Sequence, residues 1–268
     1  MTTPPDNKID DPGAALSRVF SGEQILSFPN SGYQEILAYN QINSFDDLWN
    51  LELDWVEEPN LRRSGWSRIG KTELRLPDGG TLKIYIKRQS GHNYRTFRHP
   101  LTGVPTFRRE YLNLQALQRI DVHGATILCY GERHHRDAVL VLESLEEFTD
   151  MDDWNKNYAG QLPLEEVEAT LYEVAAALYR IHQGHYQYGC LYGKHIFIRI
   201  GQDVPQDRVR FIDLEKMHRG LSVSISIRRD MRQFIRRSNY WQPGHLEMLL
   251  QDYASMYADP EMILSMFS

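Results

Sequence analysis

The stretch "TELRLPDGGTLKIYIKRQ" (residues 72–89) constrains the fold more than any other part of the chain. Pro77-Asp78-Gly79-Gly80 is a strong turn signal between two strand-like runs. Behind it, Leu82, Ile84 and Ile86 alternate with Thr81, Lys83 and Tyr85. That period of two puts the aliphatic residues on one buried face of a strand. A slip of one residue would turn that face to solvent, so pattern and turn together specify one hairpin register over residues 65–89.

The remaining segments follow from their periods. In "TFRREYLNLQALQRI", Phe107, Tyr111, Leu114 and Leu117 recur at helical spacing, with Thr106 as the expected N-cap. The runs "ATILCYGER" and "DAVLVLES" read as a second antiparallel pair around "RHHRD". A long helix follows, with Leu164, Val167, Leu171, Val174, Leu178 and Ile181 on one stripe and Gly184 as its stop. "HIFIRI", the turn "GQDVPQ" and "RVRFIDL" form a third hairpin, and helical patterns cover roughly 223–238 and 244–257. Residues 1–15 read as disordered, and "NSFDDLWNLEL" as a short helix in a mixed stretch over 16–60. Strands come first and long helices later, which is an α+β arrangement.

Composition excludes some function classes. A net charge of −6 argues against a protein dominated by phosphate-backbone binding, so no nucleic-acid partner is expected. Two cysteines, Cys129 and Cys190, make no disulfide framework, and ten histidines show no zinc-finger spacing. The start "MTTPPDNKIDDPGAAL" lacks a signal-peptide pattern and no apolar run is long enough to span a bilayer. The expectation is a cytoplasmic protein, open to peripheral contact with the inner membrane. Nothing in the sequence specifies an oligomeric state.

Four places could supply the parts of a phosphoryl-transfer site. Such a site must neutralise a triphosphate, hold a metal ion and position an acceptor. Lys87 ends the strand "KIYIK", where an ammonium can reach phosphates or simply be solvated. Glu110 lies on the next helix, as an ion-pair partner for that lysine or as a polar-face residue. Asp213 closes the apolar run "VRFIDLEK", where a carboxylate suits a hard cation or a helix N-cap; the metal role is favoured. "YQYGCLYGKHIFIR" (186–199) reads as a kinase catalytic loop with Cys190 in place of the catalytic Asp and His195 five residues later.

The chain resembles the lipopolysaccharide kinase family, which includes bacterial heptose and Kdo kinases, and within it the InaA-like subgroup. "NLRRSGWS", "IYIKRQ", "HPLTGVPTFRREYLNLQAL", "AVLVLESL", "GCLYGKHIFI", "FIDLEK" and "RRDMRQFIRR" carry the likeness over about residues 59–240. It implies a two-lobed protein-kinase-like fold with a β-rich N-lobe and a shortened helical C-lobe. The corresponding boundaries are an extension over 1–58, partly disordered, an N-lobe over 59–147 and a C-lobe over 148–268. By the resemblance, ATP and Mg²⁺ are the cofactors. Lys87 would contact phosphates, with Glu110 as its helix partner. Glu143 to Leu145 would form the adenine hinge, and Gly65, in "RSGWS", would lie in the phosphate-covering turn. His195 and Asp213 would be the metal ligands, and Asp230 would hydrogen-bond the loop backbone. The short C-lobe suits a small-molecule or glycolipid acceptor, of sugar or lipopolysaccharide type, better than a protein.

The departure from the family pattern is Cys190, since active heptose kinases resemble "RDLY" where this chain has "GCLY". A thiol has an ordinary pKa near 8.5 and would ionise only beside Lys194 or a metal. A small buried residue is the favoured reading, and a catalytic thiolate the other. The chain is thus expected to be an ATP-dependent phosphotransferase, or alternatively a pseudokinase that keeps only nucleotide or partner binding. "SIRRDMRQFIRRSNYW" is read as a solvated basic helix face, the rival being an anion-binding surface.

Overall fold

The computed structural model describes residues 24–62, 65–96, 99–200, 208–238 and 240–267. The disorder expected at 1–15 and the turn expected at 201–206 lie outside the described residues. The chain forms two compact units, Met1–Arg108 with Ile127–Glu143, and Arg109–Thr126 with Ser144–Ser268.

The first unit is built on an antiparallel sheet. Its strands are β1 (Ile25–Ser27), β2 (Asp54–Trp55), β3 (Asn60–Arg62), β4 (Gly65–Arg75) and β5 (Thr81–Ser90), then β8 (Ile127–Arg133) and β9 (Asp137–Glu143). β6 (Asn93–Tyr94) and β7 (Val104–Pro105) pair separately. The spatial order is β1-β8-β9-β5-β4-β2, with β3 also on β4. The β4–β5 hairpin forms as its sequence requires. Leu76 N–H donates to the Gly80 carbonyl at 2.8 Å, and Gly79 sits at φ +90°, where a Cβ would be strained. Ile84 and Ile86 are fully buried, while Thr81 and Lys83 are exposed.

Two short helices, α1 (Ser31–Tyr39) and α2 (Phe45–Asn50), pack against this sheet. Their Leu37, Phe45 and Leu48 share one apolar cluster with Ile84, Ile86, Val139 and Val141. α2 begins with a capping box, Ser44 and Asp47 each accepting the other's backbone N–H. At its last turn and C-cap, buried Arg88 donates to the carbonyls of Leu48 (2.7 Å) and Leu51 (2.5 Å). The described part of the expected extension, residues 24–58, is therefore an integral part of this core.

The helix α3 (Thr106–Gln118) starts where its period predicts, but its cap comes from elsewhere. Buried Gln89 of β5 accepts from the Thr106 hydroxyl at 2.8 Å and from the Phe107 N–H at 2.9 Å. A side chain from a neighbouring strand replaces the local N-cap.

The second unit carries helices α4 (Met151–Asn157), α5 (Leu164–Gln183), α6 (Val223–Arg237), α7 (His245–Ser255) and α8 (Pro260–Ser265). The α5 stripe is buried at Val167, Leu171, Val174, Leu178 and Ile181. Leu164 departs from the expected stripe: it is the first residue of the helix and stays exposed. Strands β10 (Phe148–Asp150), β12 (Ile196–Arg199) and β13 (Val209–Phe211) form one antiparallel sheet. β11 (Tyr186–Gln187) pairs with β14 (His218–Arg219). The β12–β13 register sets Ile196 opposite Phe211 and Ile198 opposite Val209, so Asp213 leaves one strand close to where His195 enters the other. Among the described residues no helix is long and apolar enough to cross a membrane.

Candidate functional site

The loop between β11 and β12 is held from beneath through its backbone. Asp230 on α6 is buried and accepts the N–H groups of Tyr188 (2.6 Å) and Gly189 (2.9 Å). His182 of α5 lies 3.3 Å from the same carboxylate through Nε2, and its Nδ1 is 2.6 Å from the Tyr253 hydroxyl. A carboxylate only accepts, so Nε2 carries a proton, and in the neutral ring Nδ1 accepts from Tyr253. One turn along α6, Gln233 accepts from the Leu191 N–H (3.1 Å) and donates to the Tyr192 hydroxyl (3.1 Å). Gly189 sits at φ +76°, and a Cβ there would lie 2.9 Å from the Lys216 carbonyl oxygen. The close passage of the loop over residue 216 therefore requires glycine.

Three chemically distinct ligand atoms gather on the other side of the loop. One donor atom each of Cys190, His195 and Asp213 lies within 4.8 Å of the other two. His195 Nε2 is 3.5 Å from Asp213 Oδ2, and Cys190 Sγ is 3.9 Å from the same oxygen. His195 Nδ1 lies 2.9 Å from the Cys190 carbonyl, which can only accept. That bond fixes the ring proton on Nδ1, so in the neutral ring the Nε2 lone pair faces a carboxylate oxygen. Two acceptors face each other there, and a cation or a proton between them relieves the repulsion.

Asp213 occupies the left-handed region at φ 56°, ψ 53°, an uncommon and costly conformation for a residue other than glycine. Its side chain makes no cap to the short turn Leu214–Lys216, so the N-cap alternative is not realised. The carboxylate is instead turned to His195 and Cys190.

Cys190 is 3% exposed. Burial pushes its thiol up, and the Asp213 carboxylate adds to that, against an opposing effect of the Lys216 ammonium. The cation beside the sulfur is Lys216, at 3.9 Å, a residue the sequence did not single out; Lys194 is exposed. A protonated thiol cannot receive an acceptor proton as a carboxylate does.

The segment after Asp213 is tied to α3 within the same unit. Arg109 donates to the carbonyls of Lys216 and Met217 at 3.1–3.2 Å, and Asn113 to those of Leu214 (2.7 Å) and Met217 (2.8 Å). Glu110 lies between them in sequence and is buried, its carboxylate among those that raise the phenol of buried Tyr188, after burial itself. Neither Arg109 nor Asn113 was expected from the sequence, because both act on backbone carbonyls more than a hundred residues away. Asp152 is another unforeseen neighbour: it accepts from Trp241 Nε1 (3.0 Å) and sits where a Cβ on Gly193 would fall.

The other expected residues lie as follows. In the first unit, Gly65 opens β4, and Arg63 and Ser64 before it lie outside the described residues. A Cβ on it would come within 2.3–2.5 Å of the backbone at Ser90, Gly91 and His92, so close β4–β5 packing already demands glycine. Lys87 stands on β5 in register with Ile69 and Leu140, its Nζ 5.9 Å from the Phe107 ring centre. Glu143 ends β9 opposite Ile84. Leu145 belongs to the second unit, where its carbonyl accepts the Phe148 N–H.

A profile of the Lipopolysaccharide kinase (Kdo/WaaP) family matches residues 46–258. The chain belongs to this family. It is 33% identical over 198 residues to Protein InaA of Escherichia coli (strain K12), covering 71% of this chain and 86% of that one. A solved structure, WaaP in complex with acyl carrier protein, superposes with a TM-score of 0.63 over 91% of this chain and 96% of its own, at 17% identity. That likeness establishes the protein-kinase-like fold.

Within this family frame, the donor set fits a divalent cation with one reservation of chemistry. Asp213 offers the carboxylate that magnesium takes together with phosphates and water. His195 and Cys190 add nitrogen and sulfur, donors that magnesium does not select.

Proposed function

We propose that this family member binds ATP with Mg²⁺ and transfers phosphate to a hydroxyl of a sugar or lipopolysaccharide-type acceptor. The observation that carries the reading is the approach of His195 Nε2 to Asp213 Oδ2, on a loop whose backbone Asp230 holds. A divalent ion there would neutralise phosphate charge. Lys87 would contact the phosphates, with Glu110 as its helix partner; Glu143 to Leu145 would meet adenine through backbone groups, and "RSGWS" (63–67), with Gly65, would cover the phosphates. The reading keeps the protein in the cytoplasm, open to peripheral contact with the inner membrane.

Transfer would proceed without the usual base. A positioned base contributes about 10²–10⁴-fold, whereas most of the acceleration in phosphoryl transfer comes from placement and charge neutralisation. The raised thiol of Cys190 favours a second reading, a pseudokinase that binds nucleotide without turning it over.

Equilibrium binding of Mg²⁺–ATP, followed by turnover with extracted core glycolipid, tests both. Asp213→Ala should abolish binding under either reading; unchanged binding in that variant removes the site assignment. Turnover that rises on the order of 10²-fold or more in Cys190→Asp shows that the position still faces an acceptor. Binding without turnover, in wild type and Cys190→Asp alike, establishes the pseudokinase.

A further inference from the structure

The exchange of a carboxylate for a thiol at position 190 changes what the loop can hold, not only what it can deprotonate. The geometry points to a zinc-class metal site, formed by Cys190 Sγ, His195 Nε2 and Asp213 Oδ2, with a fourth coordination position open to water or a phosphate oxygen. This inference goes beyond the nucleotide reading and does not depend on it, because the three side chains bind the ion without a phosphate.

Spacing is the first support. Tetrahedral zinc, with bonds of about 2.0–2.1 Å to nitrogen and oxygen and about 2.3 Å to sulfur, sets its N and O ligands about 3.3 Å apart and its S and O ligands about 3.6 Å apart. The corresponding distances here are 3.5 Å for His195 Nε2 to Asp213 Oδ2 and 3.9 Å for Cys190 Sγ to the same oxygen. These two edges need contraction of a few tenths of an ångström, and the sulfur-to-nitrogen edge, within 4.8 Å, closes as the ion draws the three atoms in. Octahedral magnesium, with bonds of about 2.1 Å, would bring adjacent ligands to about 3.0 Å and prefers oxygen donors, so a thiolate is the ligand that sets this site apart.

Orientation is the second support. The Nδ1–H of His195 is committed to the Cys190 carbonyl, the arrangement that metal-bound imidazoles use to direct the other nitrogen at the ion. Here the carbonyl belongs to a second ligand, so the two are aligned by one bond. Charge is the third. A thiolate and a carboxylate balance a divalent ion, and the Lys216 ammonium lies 3.9 Å from the sulfur. On binding, the thiol proton leaves to solvent. Three protein ligands with an open position describe an exchangeable site rather than a closed structural one.

Cobalt(II) reports the site directly. Metal-free full-length protein is titrated with Co²⁺ while ultraviolet thiolate-to-cobalt charge transfer and visible absorption are followed; Zn²⁺ is then added in competition. One equivalent should give both the thiolate band and the intense visible absorption of tetrahedral cobalt, and Zn²⁺ should erase them where millimolar Mg²⁺ does not. Cys190→Ser should lose the thiolate band and bind Zn²⁺ at least about 10-fold more weakly, the lower bound seen even for groups that only support ligands. Cys129→Ser should keep both. No thiolate band in the wild type overturns the proposal whether or not the variant folds, as does a band that survives in Cys190→Ser. Mg²⁺–ATP binding, measured separately, reports on the nucleotide reading, so each can fail alone.

Discussion

The two sides of the loop 188–195 obey different rules. Beneath it, Asp230, His182, Tyr253 and Gln233 form a buried polar network that acts on backbone N–H groups and on Tyr192. None of these bonds involves the side chain of residue 190. Above it, Cys190, His195 and Asp213 gather through their side chains, and Cys190 stands where the family resemblance implies an acid. The comparison teaches how a kinase-type loop can change its chemistry and keep its shape. Its frame is built from main-chain groups that every residue supplies, so the working face is free to vary.

The largest test of that contrast is to remove the support. Asp230→Ala leaves the buried Tyr188 N–H, the half-buried Gly189 N–H and the buried His182 ring without their acceptor. At about 1–3 kcal/mol for each buried group left unmade, the loss should be at least about 2 kcal/mol in urea unfolding. Cys190→Ser, on the working face, should change stability by less than about 1 kcal/mol in the same measurement. Similar losses for the two would erase the distinction.

Gly189 stands at the junction of the two sides, with its N–H on Asp230 and its Cα against the Lys216 carbonyl. Gly189→Ala pays about 1–2 kcal/mol for a left-handed conformation, and contact with that carbonyl adds to it. The loss should appear in unfolding and, because residue 216 adjoins Asp213, in weaker cation binding. A fully stable variant with unchanged cation affinity would separate the junction from the site.

Asn113 tests the working face from a third direction. Its two bonds to the Leu214 and Met217 carbonyls hold the segment after Asp213. Asn113→Ala should cost about 1 kcal/mol in stability, at about 0.5–1.5 kcal/mol per bond with partial replacement by water. Isothermal titration with Mg²⁺–ATP should show a weaker complex. Binding that is unaffected would mean that Asp213 holds its position through its own strained backbone.

These same residues mark where the sequence could be read. The β4–β5 hairpin was legible because turn and strand pattern are local and agree, and the α5 stripe because its period persists over twenty residues. Asp230 was legible only through the family resemblance. Residues 24–58 were legible only in part: "NSFDDLWNLEL" read as a short helix and α2 forms there, but α1 is too short to show a period, and both helices gain stability by packing Leu37, Phe45 and Leu48 against a sheet formed later in the chain. Gln89, Arg88, Arg109 and Asn113 escaped for a related reason. Each satisfies backbone groups distant in sequence, and no spacing rule records which carbonyl or N–H needs a partner. At the site, the sequence supplied Cys190, His195 and Asp213 but not Lys216, whose place beside the sulfur depends on the turn after Asp213.

The smallest expected effect concerns that sulfur. Burial and Asp213 raise the folded thiol of Cys190, whereas the unfolded chain ionises it near the ordinary value of about 8.5. Below that pH both states keep the proton, and the thiol has no influence on the pH dependence. Above it the unfolded chain releases a proton that the folded chain retains, so stability falls as pH rises, until the folded thiol also ionises. The slope is at most about 1.4 kcal/mol per pH unit for one proton. Urea unfolding of wild type and Cys190→Ser from pH 7.5 to 10 isolates the contribution, since the buried tyrosines and Cys129 act equally in both and cancel in the difference. The two curves should run parallel below pH 8 and diverge above it, with wild type losing stability faster. Curves that stay parallel throughout would mean that the thiol ionises alike in both states, and Cys190 would then be open to act as a thiolate in catalysis.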